Sequence, residues 1–100
     1  MSFGDVRDRH DHLLHELASE RFAALARIAR ALEVQIEQLQ GMRSSLATLD
    51  EASREQTLRM YRELRARALR QRWYMDVQRE VVGLRPHELV ERFYDVPGPL

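Results

Sequence analysis

Leu14, Ala18, Arg21, Leu25, Ile28, Leu32, Gln35, Leu39, Met42, Leu46 and Leu49 recur at alternating spacings of four and three. This is the a/d repeat of a coiled-coil seam, with Arg21 and Gln35 as its polar positions. Strand-type alternation is absent. No Pro falls between Asp5 and Arg85, and only Gly41 and Gly83 interrupt that stretch. A chain so patterned is predicted to be all-α.

The boundaries follow from capping chemistry. Asp5 can cap a first helix over about 5–47, with Asp8 favourably placed in its first turn. Gly41 lies inside that helix. The seam stays in register through Met42, Leu46 and Leu49, and an interior Gly costs only about 1 kcal/mol relative to Ala. Thr48-Leu49-Asp50-Glu51 fits a capping box, with Asp50 as a competing cap. A second helix is therefore expected over about 50–82. Its seam runs through Tyr61, Leu64, Ala68, Gln71, Met75, Gln78 and Val82, and Gly83 suits its C′ position. Pro86 disfavours helix at Arg85 and suits a first helical position, which predicts a short C-terminal helix over about 86–94. Residues 1–94 then form a single helical domain, and residues 95–100 an extended or disordered tail.

A connection of a few residues makes the two long helices antiparallel neighbours. The expected product is a helical hairpin roughly 60 Å long at 1.5 Å per residue. Its first helix is apolar over about 180° of its circumference, more than one partner helix covers. Leu25, Leu32 and Leu39 lie at the centre of that arc, with Phe22, Ala29 and Ile36 on one flank. In the second helix, Leu69, Trp73, Val77 and Val81 form a stripe onto which Leu89, Val90, Phe93 and Tyr94 could fold. We therefore expect two hairpins to pair about a two-fold axis into a four-helix bundle, a homodimer. Phe22, Leu25, Ala29, Leu32, Ile36, Leu39, Trp73, Val77 and Val81 are the expected interface. A different protein partner, or a monomer closed by the third helix, are the alternatives.

Composition removes several chemistries. All 16 basic residues are Arg, and they balance 16 acids; Lys, Cys and Asn are absent. Disulfides, thiolate metal sites, Cys nucleophiles and Lys Schiff bases are thereby excluded. No apolar run approaches the ~18 residues that span a bilayer. The N-terminus shows no basic-then-apolar leader pattern. No membrane association is expected, and a cytoplasmic location is the default.

Three features could carry chemistry. Asp8-Arg9-His10-Asp11-His12-Leu13-Leu14-His15-Glu16 gathers three of the four His. His12, His15 and Glu16 share a helical face at spacings able to hold a divalent metal or to sense pH. Neither H-E-x-x-H nor E-x-x-H occurs, so no metal site is assigned. Arg59, Arg62, Arg65, Arg67, Arg70 and Arg72 fall within fourteen residues with Glu63 as the only acid, a local charge of six minus one. Such a patch can hold nucleic-acid phosphates, whereas zero overall charge and pairing with Glu33 and Glu37 argue for a solvated face. Trp73, Tyr74, Phe93 and Tyr94 are expected to plug the space between the second and third helices.

No nucleophile–base–acid set, phosphate-binding loop or cofactor motif can be assembled, so no enzymatic activity and no cofactor is expected. Residues 17–21 and 83–93 superficially resemble pieces of the all-helical chorismate mutases. The pieces lie too far apart, no long helix follows the second, and no Lys stands where that family places its catalytic one. The expected function is a non-enzymatic protein–protein interaction module: an adaptor, chaperone or assembly subunit. The alternative is a nucleic-acid-associated regulator using Arg59 to Arg72.

Overall fold

The computed structural model describes residues 3–83 and 93–100, with side chains from Asp8 onward. Helix α1 spans Phe3–Ser45, a 3-10 turn spans Leu46–Thr48, and helix α2 spans Glu51–Val81. No strand occurs among the described residues. The helices pack against each other as a hairpin in a rod of 74 × 23 × 15 Å.

α1 runs through Gly41 without interruption. A Cβ built on Gly41 would meet nothing within 4 Å, so no close approach requires Gly there. Side chains close the end of α1. The Ser44 hydroxyl donates to the Gln40 carbonyl and the Ser45 hydroxyl to the Met42 carbonyl. Thr48 Oγ1 donates back to the Ser45 carbonyl at 2.9 Å. That bond occupies Thr48 within the turn, and Asp50 is the cap of α2, accepting from the Ser53 amide at 2.8 Å. This amide bond holds the Asp50 carboxyl below its ordinary value of 3.8. Arg54 fastens the connection from below, its Nε donating to the Leu46 carbonyl and an η nitrogen to the Leu49 carbonyl, both at 3.2 Å.

α2 ends as Gly83 allows. Val82 is the C-cap, and Gly83 adopts φ +81°, the left-handed conformation that a side chain disfavours. Its amide donates to the Glu80 carbonyl at 3.0 Å. Beyond it, the expected third helix falls outside the described residues except for its last two positions.

Leu32, Leu39, Tyr61, Leu64, Ala68 and Met75 are buried between the helices. Leu25, Ile28, Ala29, Ile36, Met42 and Leu69 pack against them. The two seams thus meet from Leu25 onward, as their periodicity requires. The seventh buried residue is Val96, in the tail.

The overlap of the helices is partial. Arg43 and Tyr61 meet across the hairpin, hydrogen-bonded at 3.2 Å. Both helices rise 1.5 Å per residue, so the end of α2 at Val81 lies opposite about residue 23 of α1. Every residue from Asp8 to Ala23 is correspondingly exposed. The first twenty or so residues of α1 project about 30 Å past the end of α2.

Candidate functional site

The projecting part of α1 carries the first three seam positions, Leu14, Ala18 and Arg21, with Leu13, Leu17 and Phe22 beside them. Leu13, Leu14, Leu17 and Phe22 are 53%, 52%, 42% and 47% exposed. His12 Nε2 and Glu16 Oε1 stand 2.9 Å apart, one turn apart on the helix and open to solvent. His15 is exposed beside them. Among the described residues no three His, Asp or Glu side chains come together as metal ligands.

The expected interface residues divide into three sets. Phe22, Trp73 and Val81 are exposed, Trp73 at 67%. Leu25, Ala29, Ile36 and Val77 are half-buried. Leu32 and Leu39 are completely buried by the chain's own second helix. They are the centre of the intramolecular seam and keep no surface to offer another chain. The aromatic plug between the second and third helices lies outside the described residues, since residues 84–92 are not among them. Trp73 and Phe93, the latter 72% exposed, both face solvent, and only Tyr94 packs against the core.

The Arg cluster splits by helical position. Arg59, Arg62, Arg67 and Arg70 are exposed on the outer side of α2. Arg67, Arg70, Gln71, Trp73 and Tyr74, with Gln35 of α1, line a depression of about 410 Å³. Gln35 Oε1 is buried there and accepts no hydrogen bond. The expected pairing with Glu33 and Glu37 is not made. Glu33 instead accepts from the Tyr94 hydroxyl at 3.5 Å. Burial raises the Tyr94 hydroxyl above its ordinary value of 10.0; the Glu33 charge and hydrogen bond add to this, against Arg79.

Arg65 and Arg72, seven residues apart, face the other way. Arg65 Nε donates to the Pro97 carbonyl at 2.8 Å, and an Arg72 η nitrogen to the Tyr94 carbonyl at 3.3 Å. The Tyr61 hydroxyl donates to the Gly98 carbonyl at 2.6 Å, and Arg43 reaches the same carbonyl at 3.1 Å. Residues 94–98 therefore lie in the groove between α1 and α2, with Val96 buried and Asp95 exposed. The sequence analysis reads residues 95–100 as an extended or disordered tail and does not place them in the groove. The available signal was the pairing of Tyr94 and Val96, two residues apart and so on one side of an extended segment.

No known family, curated protein or solved structure matches this chain. Among the described residues no helix is long and apolar enough to cross a membrane.

Proposed function

We propose that the chain is a non-enzymatic helical interaction module whose first partner is a second copy of itself. The observation that carries this reading is the projecting part of α1. It continues the seam that α2 covers from Leu25 onward through Ala18 and Leu14, and leaves Leu14 and its apolar neighbours Leu13, Leu17 and Phe22 about half exposed. The natural complement of an a/d seam is another a/d seam in the same repeat. A two-fold axis supplies one from the partner, and the four long helices of two chains then form a bundle. Surface left over on the outer side of α2 is free to dock a further protein. Light scattering across a concentration series tests the proposal. A mass near twice 11.8 kDa is expected at high micromolar concentration, and a mass of 11.8 kDa there overturns it.

A second reading is supported by the outer side of α2. Arg59, Arg62, Arg67 and Arg70 share it with Trp73 and Tyr74, both largely exposed. Guanidinium groups beside open aromatic rings suit single-stranded nucleic acid, where rings stack on bases and Arg meets phosphates. Fluorescence anisotropy with a labelled single-stranded oligonucleotide at about 50 mM salt tests it. Binding that is lost in an Arg67→Ala/Arg70→Ala chain supports this reading, and absence of binding ends it.

A further inference from the structure

The groove that holds residues 94–98 has an unusual chemical character. Among the described residues, the tail's main chain accepts from four hairpin side chains at its carbonyls: Arg72 at Tyr94, Arg65 at Pro97, Tyr61 and Arg43 at Gly98. Arg has donors only, and Pro contributes a carbonyl but no N–H. A wall made of donors suits a segment whose main chain is rich in acceptors and poor in donors. Pro97 and Pro99 give the tail that property. Apolar recognition is concentrated in two side chains that the segment packs on the hairpin, Val96 in the core and Tyr94 against it. The wall itself is built by the hairpin, since Tyr61, Leu64 and Ala68 are positioned by α1 and α2.

We propose that this groove is a binding site for an extended, proline-containing peptide of the pattern aromatic-x-aliphatic-Pro, and that the chain's own C-terminal segment fills it in cis. Four donors read main-chain carbonyls, which any sequence carries. Selectivity comes from the Val96 and Tyr94 positions and from the missing N–H groups. A segment of the same chemistry on another protein competes with residues 94–98 for the groove. The tethered tail sets the threshold for that competition, because a short link gives it an effective concentration on the order of mM. The site is distinct from the projecting part of α1 and does not depend on self-association.

The test uses the full chain and a labelled peptide, Arg-Phe-Tyr-Asp-Val-Pro-Gly-Pro-Leu, copied from residues 92–100. Val96→Asp in the chain frees the groove by placing a charge where the core needs an apolar side chain. The peptide is expected to bind the Val96→Asp chain at least about tenfold more tightly than the wild-type chain, whose groove is already occupied. Adding Arg65→Ala to the Val96→Asp chain should weaken that binding, as should replacing both prolines of the peptide by Ala. Equal binding to both chains, or no binding to a Val96→Asp chain that keeps its helical circular dichroism, overturns the proposal. If Val96→Asp unfolds the hairpin, the wild-type chain decides by nuclear magnetic resonance. Unlabelled peptide at roughly 10 mM, above the tether's effective concentration, should move the Val96 and Gly98 amide signals of the labelled chain to their free-peptide positions. Signals that stay in place overturn it.

Discussion

Leu14→Ala separates the stability of one chain from its self-association. Leu14 is 52% exposed on the part of α1 that α2 does not reach. In a lone chain the substitution removes no core contact, and Ala is the better helix former, so stability should move by no more than about 0.5 kcal/mol. The dimer should respond differently. Fully burying a Leu contributes about 1.5–3 kcal/mol, so burying the remaining half contributes about 0.8–1.5 kcal/mol. The two-fold axis counts each substitution twice, giving about 1.5–3 kcal/mol per dimer. At 1.4 kcal/mol per decade, the dissociation constant should rise roughly 10- to 100-fold. Sedimentation velocity over a dilution series measures the constant. Urea melts at a dilution where the chain is monomeric measure the other side of the comparison. A dissociation constant that moves by less than about threefold refutes the placement of Leu14 in the dimer seam. A monomer destabilised by about 2 kcal/mol or more refutes the exposed position itself.

The same substitution inside the overlap should act on the protomer instead. Leu39→Ala empties a fully buried position and should cost about 2–5 kcal/mol in urea melts, independent of concentration. Tyr61→Phe removes the hydroxyl that holds the Gly98 carbonyl at 2.6 Å. It should cost about 1 kcal/mol and speed chymotryptic cleavage after Tyr94 while helix content is unchanged. Gly41→Ala should raise stability by about 0.5–1 kcal/mol, because a Cβ there meets open space within a continuous helix. Asp50 has a lowered carboxyl value in the fold, so its cap is fully stabilising above the ordinary value of 3.8 and is lost as pH falls through the lower folded value. The gap in urea midpoint between wild type and Asp50→Ala should therefore be widest near neutral pH and narrow as pH falls below 3.8.

The hairpin was legible because a four-three repeat fixes one face of a helix whatever surrounds it. What the repeat does not encode is the identity of the cover. Leu14 and Leu39 both belong to the seam, at its two alternating positions, yet one is half exposed and the other fully buried. Their difference arises from where α2 ends, at Val81, which depends on Gly83 rather than on anything near Leu14. The turn shows a local ambiguity of the same kind. Both Thr48 and Asp50 satisfy capping chemistry, and the choice falls to Asp50 because Thr48 lies within the 3-10 turn while Asp50 takes the extended backbone of a cap and accepts from the Ser53 amide. The docked tail was hidden for a deeper reason. Its polar contacts go to carbonyl oxygens, and these leave no mark on residue choice. The Pro and Gly of the tail are compatible with an extended segment lying in a groove.

Charge counting does not divide the Arg cluster because it treats guanidinium groups as point charges. In this fold four of the Arg side chains act through directed donors. Arg54 spans two carbonyls of the turn, and Arg43, Arg65 and Arg72 each hold one carbonyl of the tail. A planar fork with donors at Nε and both η nitrogens can meet two oxygens at once, which the compact ammonium of Lys does less well. Arg54 uses Nε for one carbonyl and an η nitrogen for the other. The two members of the cluster facing the tail are seven residues apart, two helical turns, so one straight helix presents both to a single extended segment. The four that face outward lack that task, and they are the ones a partner or a phosphate can reach. The cluster is thus two sets of side chains with opposite orientation on one helix. Of these, Arg65 and Arg72 belong to the fold of the tail, and Arg59, Arg62, Arg67 and Arg70 belong to the surface.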